Sequence, residues 1–205
     1  RIRAVLDAGI VPVITGFQGT DKSGNILTLG RGGSDTTAVA VGAALGADFV
    51  DIYKDVPGVA KADPKLVKAG YMRFLDYDSM FRLANHGARV LHDKSALLAK
   101  SAGLRLRIRS TFDDGEGTLV GAREEANPDF LGLASSPAGH DDMMIAAVFA
   151  AGKGVKGIAA ARKLAKAIGQ AVSEVPGDDP DAVAFVCARN DAAGFALQLL
   201  SALEG

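Results

Sequence analysis

The chain has 205 residues, of which 48% are hydrophobic and 23% charged, a composition typical of one or two ordinary globular domains. Its formal net charge of -1 gives no basic surplus, which argues against nucleic acid and against an anionic membrane as partners. Cys187 is the single cysteine, so an internal disulfide is excluded and a reducing, cytoplasmic compartment is expected. No apolar run reaches the roughly 18 residues that a membrane helix needs.

The chain begins with three short apolar segments. Residues 1–8 have the apolar spacing of a helix end, and Gly9 is expected to terminate this helix. The run GIVPVITGF at 9–17 is compact and bounded by glycines, so it predicts a buried strand. After a Ser-Gly-Asn turn, ILTL at 26–29 predicts a short returning strand.

The following segments alternate between helix and strand. LRLRIRS at 104–110 has strict period-two alternation, with Leu and Ile facing inward and Arg facing outward. The order of the elements predicts an α/β fold whose largely parallel sheet is covered by helices. In chain order the predicted elements are a helix over 34–46, a strand over 48–55, a loop over 56–70, two short helices over 76–103, and strands over 104–110 and 117–121.

A polar segment at 122–130 predicts a linker, after which the sequence becomes rich in alanine. The pattern beyond it is strand, helix, strand, strand, helix, which is enough for a small α+β module. We therefore expect three parts, at 1–121, 122–130 and 131–205. The predicted elements of the last part are a strand over 142–150, a helix over 157–172, strands over 170–175 and 181–188, and a helix over 191–203.

The stretch TLGRGGSDTT at 28–37 stands where a helix is predicted to begin. The first N–H groups of a helix lack backbone partners and carry the positive end of its dipole, and glycine lets an anion approach them closely. Arg31 adds a planar fork that suits a carboxylate or a phosphate, and Asp35 falls in the first helical turn. The stretch therefore predicts either an anion site or an ordinary turn with Ser34 as the helix N-cap.

Four strings in a fixed order carry a resemblance to a known family: GFQGTDKSGNILTLGRGGSDTTAVAVGAALGAD, IYKDVPGVAKADPK, GARVLH and RSTFDDGEGTLV. Over residues 1–121 the chain resembles the aspartate kinases, which have the amino-acid kinase fold, and the match is most specific over 16–48. The resemblance implies phosphoryl transfer from ATP, with Mg²⁺, to the β-carboxylate of L-aspartate. That step opens the biosynthesis of lysine, threonine and methionine.

The resemblance also implies roles for individual residues. Arg31 and Ser34 would hold the carboxylates of aspartate, and Gly32 and Gly33 would line the pocket. Asp35 would organise the region of the transferring phosphate. The nucleotide side would be formed by Lys54, Asp55, Gly58, Ala60, Lys65, Arg89 and Val90. The alternative for the loop that carries most of this second set is an ordinary connection between a strand and a helix.

The chain departs from the family pattern on the nucleotide side. The family usually has Thr, Tyr, Arg and Lys where this chain has, in that order, Lys54, Ala60, Lys65 and Arg89, and the last two changes keep the charge but not the geometry. The Lys-x-Gly-Gly loop that neutralises the transferring phosphate in the family does not occur in the sequence. We therefore expect the later part of a longer kinase, inactive by itself, or alternatively a non-catalytic regulatory subunit.

Residues 131–205 resemble an ACT-type regulatory domain. AGKGVKGIAAARKLAKAIG is similar to the glycine-rich turn that leads into the first helix of that family. Such domains bind an amino acid near this turn, usually at a dimer interface. The resemblance implies an effector such as lysine or threonine near Gly154, Gly157 and Ile158, and a homodimer or hetero-oligomer formed through this module. A module that mediates dimerisation alone is the alternative.

The remaining polar residues have ordinary structural interpretations. The three histidines lack the spacing of metal ligands, so no protein metal site is expected. The aspartate pairs at 113–114, 141–142 and 178–179 adjoin Gly or Pro and predict solvated turns. The outward arginines of 104–110 predict a solvated sheet face, with an interface to the second module as the alternative.

Overall fold

The structure, a computed structural model, describes residues 1–122, 128–169 and 171–204. The chain forms two modules that pack against each other. The elements of the first module are α1 (Ile2–Asp7), β1 (Gln18–Thr20), β2 (Ile26–Thr28), α2 (Gly33–Leu45), β3 (Phe49–Lys54), β4 (Phe74–Asp76), α3 (Tyr77–Asn85), α4 (Asp93–Ala102), β5 (Arg105–Ser110) and β6 (Thr118–Gly121). Those of the second are β7 (Phe130–Pro137), β8 (Asp142–Phe149), α5 (Gly154–Ile168), β9 (Val172–Val175), β10 (Ala182–Ala188) and α6 (Ala192–Glu204).

The first module is built on a four-stranded sheet in the order β3-β5-β6-β4. β3 runs parallel to β5 and β4 parallel to β6, but β5 and β6 are antiparallel, so the sheet is mixed rather than largely parallel. The predicted alternation of β5 is confirmed: Leu106 and Ile108 are fully buried beneath α2 and α4, because every second residue of a strand faces the same side. β1 and β2 form a separate hairpin in front of α2.

The second module has an antiparallel sheet in the order β7-β8-β10-β9. Helices α5 and α6 cover one face of this sheet, and α3 of the first module packs against β7 and β8 on the other. Because both faces are covered, β7 and β8 are buried almost throughout and lack the alternating pattern of a half-exposed strand. The sequence analysis missed β7 for this reason, and it missed β4 because that strand has only three residues.

Helix α3 is the element that both modules share. Asp76 caps it by accepting a hydrogen bond from Ser79 N at 2.7 Å. Met80 and Leu83 are 0% and 2% exposed, and they belong to a core that also contains residues of β7 and β8. Helix α3 therefore links the two modules through a continuous apolar core. Burial of one such side chain stabilises a fold by about 1.5–3 kcal/mol.

The predicted buried strand at 9–17 is wrong. Val11 and Val13 are 84% and 98% exposed, and no described residue of this segment belongs to a strand. An apolar run becomes a buried strand when neighbouring strands satisfy its backbone groups, and the described part of the chain supplies none here. The remaining elements predicted in the first module are confirmed within a few residues of their expected ends.

The boundary between the modules is described in part. Of the predicted linker at 122–130, residues 123–127 lie outside the described residues, and Phe130 already belongs to β7. Helix α5 begins at Gly154, three residues before its predicted start, because a distant carboxylate accepts hydrogen bonds from its first turn (see below). Within the described ranges, no helix is long and apolar enough to cross a membrane.

Asp51 organises the outward face of the first sheet. It accepts hydrogen bonds from Arg107 Nε and Nη2 at 2.6 and 2.7 Å, and Arg109 Nη1 lies 3.7 Å away. Arg107 also stacks on Phe49, with the guanidinium carbon 3.9 Å from the ring centroid. These hydrogen bonds from Arg107 lower the pKa of Asp51, although burial opposes the shift. The side chains of Arg107 and Arg109 therefore interact with Asp51 and are not freely solvated, which differs from the solvated face that the sequence predicted.

We predict that Asp51→Asn lowers the free energy of unfolding by about 1–3 kcal/mol at neutral pH, because it removes a charged acceptor from two partly buried arginines. A folded pKa below the unfolded value stabilises at higher pH, so the difference from wild type should shrink as pH falls below about 4. Urea unfolding at several pH values measures this. Asp48→Asn is the control, since Asp48 is exposed at the start of the same strand. A pH-independent difference would contradict the assignment.

Candidate functional site

The glycine-rich stretch forms a tight turn between the β1–β2 hairpin and helix α2. Gly30 and Gly32 have φ of 78° and 72°, the left-handed region that glycine tolerates best. A side chain at Gly32 would also collide with the ring of His92 at the start of α4. The hydroxyl of Thr36 donates to Gly32 O at 3.1 Å. Contacts with His92 and Thr36 therefore hold the turn in place. Position 32 requires glycine because its φ is left-handed and because His92 leaves no space for a side chain.

Helix α2 begins without a side-chain cap. Its first residue is Gly33 and its N-cap position is Gly32, so the alternative in which Ser34 caps the helix is wrong. Ser34 lies in the first turn, exposed and close to Gly16: a methyl group on Gly16 would come within 3.2 Å of its hydroxyl. An uncapped helix start leaves N–H groups directed at solvent, which is the property that an anion site uses.

The structure brings two predicted site residues into direct contact. Lys54 Nζ lies 3.0 Å from each carboxylate oxygen of Asp35, and the two side chains are 24% and 15% exposed. Asp35 is in the first turn of α2, and Lys54 is the last residue of β3. Because α2 leads directly into β3, the carboxyl end of this strand returns to the amino end of the helix. That edge of an α/β sheet is where ligands commonly bind.

The end of strand β5 completes this edge of the sheet. Lys54 and Ser110 are paired in the register of the two parallel strands. The backbone N–H and the hydroxyl of Thr111 both donate to Lys54 O, at 2.8 and 3.0 Å. Phe112 follows and is 81% exposed. The Asp35–Lys54 pair therefore lies where the carboxyl ends of two strands meet a helix amino terminus.

The predicted nucleotide residues after β3 fall into two groups. Asp55 and Lys65 are exposed, and neither side chain has a hydrogen-bond or ion-pair partner among the described residues. Gly58 is buried where a methyl group would lie 2.5 Å from Thr118 Oγ1, so it permits close packing against β6. Ala60 forms an isolated bridge with Tyr71. The loop is thus a folded segment with two free charges on its surface.

The predicted arginines are exposed and unpaired. Within the described ranges, the side chains of Arg31 and Arg89 make no hydrogen bond or ion pair. Val90, beside Arg89, packs against the core and anchors the connection between α3 and α4. Free guanidinium groups suit a carboxylate or phosphate, although neither arginine contacts the Asp35–Lys54 pair.

The predicted effector residues lie at the start of α5. Gly154 N donates to Asp181 Oδ1 at 2.9 Å, and Gly152 N donates to Asp181 Oδ2 at 2.8 Å. Gly157 provides room for the ring of Phe149, and Ile158 is 7% exposed in the core of the second module. The sequence analysis missed Asp181; its position directly after Pro180, at the start of a predicted strand, was the available signal.

The predicted solvated turn at 178–179 is wrong for Asp179. This carboxylate is 22% exposed and contacts Arg82 of α3 and His86 directly after it, with His86 Nε2 at 2.9 Å from Asp179 Oδ2. The pattern of the sequence could not reveal these contacts, because the partners are more than ninety positions apart in the chain.

The described residues contain no group of three or more His, Cys, Asp or Glu side chains that could hold a metal ion. Asp35 directs both carboxylate oxygens at Lys54. Mg²⁺ usually keeps several waters and binds through one or two carboxylates together with substrate phosphates. The described residues are therefore compatible with an Mg²⁺ ion that binds mainly through the phosphates of another molecule.

Comparison with known proteins gives a consistent result. Residues 1–110 match the sequence model of the amino acid kinase family. The chain is 40% identical over 219 aligned residues to an aspartokinase of Thermus thermophilus, covering all of this chain and 50% of that protein. Among solved structures, it is similar to aspartokinase III of E. coli in complex with aspartate and ADP, with a TM-score of 0.63 and 27% identity over 99% of this chain and 47% of that one. The complex of aspartokinase III with lysine and aspartate gives a TM-score of 0.60 at 27% identity, over all of this chain and 46% of that one. The chain thus spans about half the length of these relatives.

We predict that Gly32→Ala destabilises the chain more than Gly30→Ala. Both replacements carry the left-handed backbone cost of about 1–2 kcal/mol, but a methyl group on Gly30 meets open space. The collision with His92 should add about 1–3 kcal/mol at Gly32, as overpacking does elsewhere. Thermal and urea unfolding of both variants measure the difference. Adding His92→Gly should remove the extra cost, because the colliding atoms include the Cβ of His92 at 2.4 Å, which alanine would keep. Equal destabilisation of the two single variants would contradict the described packing.

Proposed function

Because the chain belongs to the amino acid kinase family, we propose that it is part of an aspartate kinase, which transfers a phosphoryl group from ATP to the β-carboxylate of L-aspartate. One observation carries this proposal: the Asp35–Lys54 pair lies at an uncapped helix start preceded by a glycine-rich turn with a free arginine. The similarity to aspartokinases supports the same reaction.

The proposed role of the turn is to hold the carboxylates of aspartate. Arg31 offers a guanidinium group without an internal partner, and Ser34 offers an exposed hydroxyl in the first turn of α2. Gly32 and Gly33, whose packing against His92 and Phe17 leaves no room for side chains, would line the pocket with their backbone, and the helix dipole favours a negative charge at this end. These groups would bind the substrate and orient its β-carboxylate toward the sheet edge.

The proposed role of the sheet edge is to receive the phosphates of ATP. Phosphoryl transfer is catalysed mostly by positioning and by neutralising the charge of the transferring group. Lys54 can share its ammonium group between Asp35 and a phosphate oxygen, and Asp35 keeps that ammonium group at the end of β3. We propose that the nucleotide is further bound by exposed Asp55, Lys65 and Arg89, on a backbone shaped by Gly58, Ala60 and Val90.

Mg²⁺ would enter this site with the nucleotide and add positive charge to the phosphates. The chain's own contribution would be the ammonium group of Lys54 and the amino end of α2. A phosphate-neutralising lysine of the kind that the family carries in its Lys-x-Gly-Gly loop is not present in this sequence. We therefore propose that the 205-residue chain by itself does not catalyse phosphoryl transfer from ATP to aspartate.

The second module is proposed to be the regulatory part. Aspartokinase III of E. coli has been solved with lysine as well as aspartate, which supports an amino-acid effector here, such as lysine or threonine. Gly154, Gly157 and Ile158 form the start of the helix at which we propose that the effector binds. We also propose a cytoplasmic protein that forms a homodimer or hetero-oligomer through this module.

A second candidate is a non-catalytic regulatory subunit. One observation favours it, since both oxygens of Asp35 are engaged by Lys54, where the aspartate kinases usually have threonine. Under this alternative, an amino acid would raise the melting temperature of the protein, whereas ATP with Mg²⁺ and aspartate would not.

The deciding experiment is ATP-dependent formation of acyl phosphate from L-aspartate by the full-length protein, trapped as the hydroxamate. Production of aspartyl hydroxamate, with none from L-glutamate, is the expected result. Absence of hydroxamate from a folded protein whose melting temperature responds to lysine or threonine but not to ATP would favour the regulatory subunit.

We predict that Arg31→Ala in the full-length protein raises KM for aspartate by about tenfold or more and changes KM for ATP by less than about threefold. The physical reason is the loss of a charged hydrogen bond to a substrate carboxylate, worth about 1.5–3 kcal/mol. Steady-state kinetics with each substrate varied in turn provide the measurement. Lys22→Ala is the matched control, because Lys22 is an exposed cation in the preceding hairpin turn. Equal losses for both substrates would mean that the turn does not select aspartate.

A further inference from the structure

The loop of residues 178–181 contacts both modules of the chain. Asp179 Oδ1 accepts a hydrogen bond from Arg82 Nη1, and Asp179 Oδ2 lies 2.9 Å from His86 Nε2. Arg82 is in the last turn of α3 and His86 is the residue directly after this helix, and both are mostly buried, at 23% and 18% exposed. Ion pairs of this kind are shielded from solvent and hold their geometry better than surface pairs.

The same loop closes the first turn of helix α5. Asp181 is 7% exposed, and its two oxygens accept the N–H groups of Gly152 and Gly154. Gly154 has no space for a side chain, since a methyl group there would lie 2.8 Å from the Asp181 backbone. Asp181 is thus an internal carboxylate on the amides that a helix start offers to anions.

The two carboxylates belong to one hydrogen-bonded network. Asp181 N donates to Asp179 Oδ1 at 3.0 Å, and Arg82 Nη2 lies 4.0 Å from Asp181 Oδ2. A shift of Asp179 therefore moves the backbone that carries Asp181. Asp179 is paired with side chains of the first module, and Asp181 with backbone N–H groups of the second. A rearrangement of either module would therefore leave a buried carboxylate without its partners.

Helix α3 connects this network to the site at the first sheet. It packs along α4. The residue before α4 is His92, which lies against Gly32 in the glycine-rich turn. A cavity of about 480 Å³ opens beside Arg82, between the start of α3 and the residues that precede α5. Residues of both modules line this cavity, so it lies at the boundary that the network of Asp179 and Asp181 spans.

We propose that Asp179 and Asp181 couple the first turn of α5 to helix α3, so that these two elements loosen together. The role of this coupling in regulation rests on the function proposed above: an effector that takes the amides of Gly152 and Gly154 from Asp181 would release Arg82 and His86 through Asp179. The coupling itself requires neither catalysis nor a ligand.

The protonation of Asp179 is consistent with this arrangement. Burial by itself would raise its pKa, but the hydrogen bonds from His86, Asp181 N and Arg82 outweigh burial and hold the pKa below its usual value. The carboxylate is therefore ionised at neutral pH, where it faces Arg82 of α3 and His86 at the end of that helix and has Asp178 and Asp181 beside it in its own loop.

The test is hydrogen exchange of the 205-residue chain, measured by NMR without ligand at the Gly152 and Gly154 amides. Asp179→Asn is expected to speed exchange at both amides by about tenfold, although Asp179 does not contact either of them. Asp178→Asn is the matched control, because Asp178 is an exposed neighbour without an ion-pair partner among the described residues. It should leave exchange unchanged.

A second variant keeps the test decisive if Asp179→Asn does not fold. His86→Leu removes the hydrogen-bond donor directly after α3, whose described contact in this loop is Asp179, and it should also speed exchange at Gly152 and Gly154, by about threefold or more. Unchanged exchange at these amides in a folded variant of either kind would overturn the coupling. Loss of the kinase activity proposed above would leave this result unaffected, so the two proposals fail separately.

Discussion

The ion pair between Asp35 and Lys54 is the contact on which the candidate site depends. It joins the first turn of α2 to the last residue of β3, and so it fixes the glycine-rich turn relative to the sheet edge. Without it, an aspartate at a helix start and a lysine at a strand end would each be a solvated surface charge. With it, a cation stands at 3.0 Å from a carboxylate, beside N–H groups that favour anions. The phosphoryl-transfer role proposed above rests on that juxtaposition.

A second constraint is the burial of α3 between the two modules. Its apolar side contributes Met80 and Leu83 to a core shared with β7 and β8, and Arg82 on its polar side, with His86 directly after its end, contacts the 178–181 loop. The apolar contacts supply stability, whereas the ionic contacts pair specific charged groups across the boundary between the modules. A helix held in both ways is suited to transmit a change from one module to the other.

The sequence predicted local elements well and long-range partners poorly. The helix after the glycine-rich turn and the alternating strand at 104–110 were visible because their patterns are set by the residues themselves. The segment at 9–17 has the composition of a buried strand but lies exposed, because burial depends on neighbours that composition does not specify. The contact of Lys54 with Asp35, and that of Asp179 with Arg82 and His86, depend on the three-dimensional path of the chain. The site residues implied by the aspartate-kinase resemblance remain a prediction, and the structure adds that two of them, Asp35 and Lys54, are in contact.

The most direct test of the central claim is a double-mutant cycle on the Asp35–Lys54 pair, in the full-length protein, with kcat/KM for aspartyl hydroxamate formation as the readout. Asp35→Asn and Lys54→Met each remove one charge of the pair. If the two side chains act as a unit, the double variant should lose no more activity than the worse single variant, because the second change removes an interaction already lost. Losses that multiply would show that Asp35 and Lys54 act independently, and would contradict a site organised by their contact.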